Sequence, residues 1–350
     1  MRGHVFIVNQ QTLPKHLEYM FVGVSAGKKE KNIGLLADMK RVKKDDFIFF
    51  YIEGTQRIKG RFFGIFQAFD NEVYYVSGEE AKEPSLPKPL IYRKFIKPYE
   101  VYQKGVLEWI ALDKLPTFAR EILWSLIYRK MKGKRGNTML FPWETERLIA
   151  LIREANDGKK LNGKHFSFCS DEFIIVTNSQ TNELNLGNPV ALNPEEVKKS
   201  ETYFQAYILQ QLETENNNFC PEIFGKNITW IGNEVFAGSG MQKIDLMTIE
   251  KINETNSIFR IIELKHPTSK ASINFASEQL EYYINWALED IGGHLKGAKK
   301  FNIKPILLVF TNKFNCVPQD VVKKIADLKN ISFEPEIWEI NCEGKTNKIL

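Results

Sequence analysis

The 350-residue sequence predicts a two-domain protein of mixed α+β and α/β class. A small β-barrel with a helical elaboration comes first, and a mixed sheet flanked by helices follows. Three observations predict it. Short apolar strands broken by turn residues crowd the first eighty positions. Helical patterning dominates residues 92–156. After about residue 195, long apolar strands alternate with helices in the order helix, three strands, helix, strand. With 43% hydrophobic and 26% charged residues, each half can bury a core of its own. The boundaries read as a first domain over 1–157, a connector over 158–194 and a second domain over 195–350.

Residues 4–8 (HVFIV) form the first strand, and the amphipathic segment Asn32 to Arg41 a helix. After the turn Lys43-Lys44-Asp45-Asp46 comes an apolar strand, Phe47 to Ile52. A second strand spans Ile58 to Phe69, and Tyr74 to Val76 forms a third. Pro84 to Pro89 is a surface loop. From Tyr92 to Asn156 the segment reads as helical, with Thr117 capping a helix to Arg129 and Pro142-Trp143-Glu144 opening another to Ala155. The connector is rich in Gly and Pro and holds one strand, Phe173 to Val176. In the second domain, Pro194-Glu195-Glu196 starts a helix that continues through Glu201 to Leu212. Strands at 228–236, around Asp245 and around Glu263 follow, with a hairpin turn over Asn253 to Ser257. A helix at 275–288, a buried strand at 305–310, a helix at 319–328 and a strand at 336–340 complete it.

Charge and cysteine usage narrow the function. The net charge is only +5, yet Tyr128 to Arg135 holds five basic residues, Arg129, Lys130, Lys132, Lys134 and Arg135. Such a cluster suits the backbone of a nucleic acid, and a solvated helix face is the other reading. The four cysteines (Cys169, Cys220, Cys316, Cys342) have no CxxC spacing and no histidine partners, which excludes a zinc finger and points to a reducing, cytoplasmic compartment. No run approaches the roughly eighteen apolar residues of a membrane span.

The chemistry concentrates in Ile244-Asp245-Leu246 and Ile262-Glu263-Leu264-Lys265. Residues two apart in a strand share a face, so Glu263 and Lys265 project together while Leu264 packs behind. Two carboxylates and an ammonium meeting at one sheet edge are costly unless a metal or substrate uses them. Phosphodiester hydrolysis needs such a set, because a divalent cation activates water and neutralises charge on the phosphorus centre. Hard oxygen donors suit Mg2+ or Mn2+. Asp245, Glu263 and the backbone carbonyl of Leu264 are the expected metal ligands, and Lys265 the group that positions or polarises water. No glycine-rich nucleotide loop of the Walker type is present.

This order of elements resembles the PD-(D/E)xK nuclease superfamily over about residues 195–350, with Ile244 standing where a proline often precedes the first acid. The resemblance implies an additional acid at Glu201 in the leading helix. It also implies a QxxxY extension at Gln279 and Tyr283 (EQLEYYINW), in which Gln279 fixes the substrate backbone or orients Lys265. Within the superfamily the run looks most like mismatch or branched-DNA endonucleases and the nuclease modules of modification-dependent restriction systems. His266, after the lysine, is expected to face the core side of the sheet or the strand end.

The first domain is similar to the EVE branch of the PUA-like barrels, which include the YTH readers. The carrying residues are Met39, then Val42-Lys43-Lys44-Asp45-Asp46-Phe47-Ile48-Phe49-Phe50-Tyr51, then Ile58-Lys59-Gly60, with Phe21-Val22-Gly23-Val24-Ser25 upstream. The likeness covers about residues 1–80. It implies a pocket for a modified or flipped base, with Asn9, Ser25, Tyr51 and Trp143 as candidate lining. Tyr51 serves equally as a core residue, and Trp143 as a hydrophobic anchor at a helix start. Together the two resemblances imply a Mg2+-dependent DNA endonuclease of a prokaryotic cytoplasm, associated with the nucleoid and acting in modification-dependent restriction, with a homodimer for double-strand cutting. A mismatch or branched-DNA repair endonuclease, and a non-catalytic DNA- or RNA-binding protein with a silent nuclease fold, remain alternatives.

Overall fold

The computed structural model describes residues 1–350 apart from 26–31, 57, 114–135, 170–171, 179–183, 186, 239–241, 270, 292–299 and 330. The chain divides into two compact units, Met1–Val190 and Ala191–Leu350. No described helix is long and apolar enough to cross a membrane, and the four cysteines form no disulfide. The stretch 158–190, read from sequence as connector, lies within the first unit.

The first unit is mixed α and β. Its strands are β1 (Gly3–Val8), β2 (Phe21–Val24), β3 (Phe47–Ile52), β4 (Arg61–Ala68), β5 (Tyr74–Tyr75), β6 (Tyr92–Pro98), β7 (Val106–Leu107), β8 (Asn137–Leu140), β9 (Phe166–Phe168), β10 (Ile174–Val176) and β11 (Asn188–Pro189). Helices α1 (Leu13–Glu18), α2 (Ile33–Lys40), α3 (Glu108–Asp113) and α4 (Pro142–Ala155) connect them. Nine strands form one sheet, in the order β11-β5-β6-β4-β3-β1-β8 with β2 on β6 and β7 on β4, while β9 and β10 pair separately. Among the described residues no pairing joins β8 to β11, so the sheet stays open where a closed barrel was expected. The terminal strands explain this: β11 has two residues, and its Pro189 cannot donate to a further ladder.

The charged turn before β3 has a structural task. Asp46 accepts from the Lys43 amide at 2.9 Å, contacts His4 Nε2 at 2.8 Å and pairs with Arg2, tying the entry of β3 to β1. Tyr92–Pro98 is a strand where a helix was expected. Its buried cations mislead: Arg93 donates to the carbonyls of Leu90, Ala81 and Glu83, and Lys94 to that of Glu72, so a polar-looking segment lies in the interior. The helix expected from Thr117 to Arg129 lies outside the described residues.

The second unit carries helices α5 (Glu201–Gln211), α6 (Pro221–Phe224), α7 (Ala276–Trp286) and α8 (Gln319–Ala326). Its strands are β12 (Ile228–Ala237), β13 (Gln242–Lys251), β14 (Asn256–Lys265), β15 (Lys300–Phe310), β16 (Glu336–Ile340) and β17 (Thr346–Lys348). They form one six-stranded sheet in sequential order, with β14, β15 and β16 parallel and the other neighbours antiparallel. The turn between β13 and β14 is closed by Asn253 Oδ1, which accepts from the Thr255 and Asn256 amides. The leading helix is broken where sequence read it as continuous. Pro194–Lys199 is a 3-10 turn, and Ser200, in extended backbone, caps α5 through the Tyr203 amide.

His16 offers a pH test of the first unit. Its ring is buried between Phe21 and Phe50, and Nδ1 bonds to the Phe21 carbonyl at 2.8 Å. Burial lowers its pKa to about 4. Between the ordinary value of 6.5 and about 4 the unfolded chain therefore binds a proton that the folded chain refuses, and stability falls as the pH drops. The expected loss is roughly 1.4 kcal/mol per pH unit across that window. Urea unfolding of wild type and His16→Gln should show a shallower acid dependence in the variant, whereas parallel curves would refute this origin.

Candidate active site

The site forms where β13 and β14 part. Their antiparallel ladder pairs Leu246 with Ile262 and ends there, so the next pair in that register would be Asp245 and Glu263. Residues opposed across two strands share a face. Asp245, Glu263 and Lys265 therefore project to one side, while Leu264, fully buried, packs on the other. The place is a fork between two interior strands and not the outer edge of the sheet. At the fork, Asp245 Oδ2 accepts the Leu264 amide at 2.8 Å, which replaces a backbone ladder bond with a bond to a carboxylate. Amide and carbonyl of one extended residue point toward the same neighbouring strand, so the Leu264 carbonyl also faces the fork.

Lys265 is held from two sides. Its Nζ donates to Glu263 Oε1 at 2.6 Å and to Gln279 Oε1 at 3.0 Å. Gln279 reaches it from α7, where Tyr283, one turn on, donates its hydroxyl to the Lys243 carbonyl of β13 at 2.7 Å. The i, i+4 pair read from sequence thus lies on the face of α7 that meets β13 and β14. Glu201, at the first turn of α5, accepts a hydrogen bond from Ser269 Oγ, and that oxygen accepts the His266 amide at 2.7 Å. The imidazole of His266 packs against β15. It stacks on Phe310 at 4.9 Å, and its Nδ1 accepts the Thr268 amide at 3.1 Å.

Electrostatics single out the acidic pair. Burial, and then the charge of Glu263, hold the carboxyl of Asp245 well above its ordinary pKa, with the charge of Glu201 adding to the effect. Burial likewise raises Glu263, against the pull of Lys265. Three carboxyl groups thus face one ammonium, and protons are drawn to the site in place of charge. Oε2 of Glu263, in a residue only 2% exposed, meets no N–H or hydroxyl donor, and the Glu263 carboxyl lies within hydrogen-bonding reach of that of Asp245. Asp245 as a residue is half-buried, and its carboxyl lies deep enough for burial to be the first cause of its raised pKa. A buried carboxylate oxygen without such a donor, beside a second carboxyl, fits a hard divalent cation that keeps several of its waters. Among the described residues no group of three acidic, histidine or cysteine side chains converges to bind a metal.

Two residues that sequence reasoning missed complete the setting. Gln205 on α5 donates to the Asp245 carbonyl at 2.9 Å, and Asn233 on β12 donates to Gln205 Oε1 at 3.4 Å. The one available signal was the i, i+4 spacing of Glu201 and Gln205.

In the first unit, Asn9 is exposed, and its Oδ1 accepts the Gln11 and Thr12 amides just before α1. Tyr51 is buried in the core with its ring 4.8 Å from that of Phe62. Trp143 stacks on Phe141 at 4.8 Å in the first turn of α4. Ser25 is half-buried, just past β2. The basic run Arg129, Lys130, Lys132, Lys134 and Arg135 lies outside the described residues.

No protein-family model matches the sequence, and no curated protein sequence does. Solved structures similar to part of the chain include a hypothetical protein from Leishmania major, at 11% identity over 44% of this chain and 96% of that one, with a TM-score of 0.33. A protein from Pseudomonas syringae aligns at 10% identity over 43% and 98%, with a TM-score of 0.31. Human THYN1, solved in complex with 5-methylcytosine-containing DNA, aligns at 11% identity over 43% and 97%, with a TM-score of 0.26.

The raised carboxyl pair makes a stability prediction. The folded form holds these protons more tightly than the unfolded chain, so the pair costs stability as the pH climbs above the ordinary carboxylate range. Asp245→Asn keeps an acceptor for the Leu264 amide and removes one charge. With a chelator at neutral pH it should melt higher than wild type by roughly 2–4 °C, about 1 kcal/mol, and lose that advantage near pH 4. A variant that melts lower at neutral pH would contradict the charge accounting.

Proposed function

We propose that the chain is a metal-dependent DNA endonuclease, whose second unit hydrolyses phosphodiester bonds and whose first unit reads a modified or flipped base. The observation that carries it is the meeting of Asp245, Glu263 and Lys265 at the β13–β14 fork, with Gln279 holding the lysine. Asp245, Glu263 and the Leu264 carbonyl would hold Mg2+ or Mn2+. Such a cation, when bound, supplies charge neutralisation at phosphorus and lowers the pKa of water. Lys265, restrained at both Glu263 and Gln279, presents a fixed donor to the attacking water or to a phosphate oxygen. Its geometry is set before substrate arrives, so little ordering is left for the moment of reaction. Glu201 adds negative charge on the α5 side and strengthens the demand for a cation.

For the first unit the proposal rests on the sequence likeness to base readers. An extruded base loses a few kcal/mol of stacking, which aromatic contacts and edge hydrogen bonds return. Modification-dependent restriction is the role this combination serves best, and mismatch or branched-DNA repair is the runner-up. One observation favours a silent, DNA- or RNA-binding protein instead. The ammonium of Lys265 already bonds to Glu263, so half of the acidic pair is neutralised from within.

A cleavage panel separates these readings. Duplexes carrying 5-methyl-, hydroxymethyl- and glucosylated cytosine or N6-methyladenine, a plain duplex and a mismatched duplex are incubated with Mg2+ or Mn2+ and with a chelator. Metal-dependent cutting of a modified duplex is expected, and preference for the mismatch would transfer the role to repair. Lys265→Ala should cut about 10²–10³-fold more slowly, and Gln279→Ala about 10–100-fold more slowly. Asp245→Ala should be inactive yet still bind DNA. Cutting by Asp245→Ala at the wild-type rate, or by no form of the protein, would end the nuclease reading.

A further inference from the structure

Asp245 lies in an interior strand that loses its ladder on both sides at that residue. Toward β12, the register pairs Asn233 with Leu246 and Val235 with Ile244 but skips the Glu234–Asp245 pair between them. Glu234 has φ 51°, in the left-handed region that a glutamate seldom occupies. Toward β14, the ladder ends at Leu246–Ile262. The sheet holds Asp245 through its paired neighbours Ile244 and Leu246, and its own carbonyl is met by something else.

That something is a side-chain amide. Gln205, 6% exposed, donates from Nε2 to the Asp245 carbonyl at 2.9 Å. Asn233, fully buried, donates to Gln205 Oε1 at 3.4 Å. An amide offers donors at one atom and an acceptor at the other, so a donor on Oε1 fixes which way the group points and aims its NH2 at Asp245. Glu201 and Gln205 are one turn apart on α5, and the same helix thus brings the third acid near the pair and pins the first acid's main chain. The Asp245 carboxylate is left to reach across the fork to the Leu264 amide.

We propose that Gln205, oriented by Asn233, is a positioning residue: it takes over the hydrogen bond that the sheet drops at Asp245 and so sets the direction of the carboxylate at the fork. The consequence for metal and cleavage rests on the nuclease reading; the placement of Asp245 does not. Two substitutions test it in the full-length protein. Gln205→Met keeps the size and removes the donor. Asn233→Asp places an acceptor against the amide and turns Gln205 around without altering it. The metal-independent readout is hydrogen exchange at the Leu264 amide, whose acceptor is the Asp245 carboxylate, measured with a chelator present. Both variants should speed it roughly five- to tenfold, with Ile261 on the same strand unchanged within about twofold. Mn2+ affinity by calorimetry should fall about 10–100-fold, and kcat should fall with KM for DNA unchanged.

Leu264 exchange and Mn2+ affinity equal to wild type in Gln205→Met would overturn the proposal. If that variant does not fold, unchanged exchange in Asn233→Asp overturns it equally. Accelerated exchange in a protein whose wild type neither binds Mn2+ nor cuts DNA would uphold the positioning role and remove the nuclease reading.

Discussion

Three carboxylates facing one ammonium is the constraint on which the second unit turns. Inside a protein, like charges close together are paid for by proton uptake, by a counter-ion or by instability. Here Lys265 answers one charge, and the raised affinity of Asp245 and Glu263 for protons marks the others as unanswered. A proton shared between the two carboxyls answers one charge, and a divalent cation would answer both. The neighbouring carboxyls of Glu263 and Asp245 are the two places where that answer would attach.

The fold produces the conflict through a simple device. Two antiparallel strands with a tight Asx turn at one end diverge at the other, and the divergence falls at the residue pair that carries the acids. β14 then continues alongside β15 to Lys265, so the ExK segment stays rigid while β13 peels away. Helix α7 supplies Gln279 to the lysine, and α5 supplies Gln205 to the aspartate backbone. The lysine ammonium and the aspartate backbone are thus each restrained by a neutral amide from a neighbouring helix. Such restraint is what keeps charged side chains from collapsing onto one another in the absence of ligand.

Sequence reasoning reached the fork because its rules are local. The i, i+2 rule put Glu263 and Lys265 on one face with Leu264 behind, and the i, i+4 rule put Gln279 and Tyr283 together. Strand β3 reads correctly from its unbroken apolar run, and the strand at 336–340 is found as β16. Gln205 stayed invisible because its task exists only where a ladder drops out, which no local pattern reports. Strand β6 was missed because Arg93 and Lys94, cations in the interior, are satisfied by carbonyls remote in sequence. The open sheet of the first unit depends on how its short terminal strands pair, and a list of strands does not contain that. Of the residues picked out by likeness, Asn9 turns the chain ahead of α1 through its side-chain oxygen, and Tyr51 lies in the core.

The central claim is that the fork holds a divalent cation between Asp245 and Glu263. Anomalous diffraction from crystals grown with Mn2+ tests it most directly. One strong peak is expected within about 2.0–2.3 Å of a carboxylate oxygen from each residue, with the Leu264 carbonyl in the same shell. A fully occupied peak elsewhere, or none at the fork while Lys265 still spans Glu263 and Gln279, would contradict it.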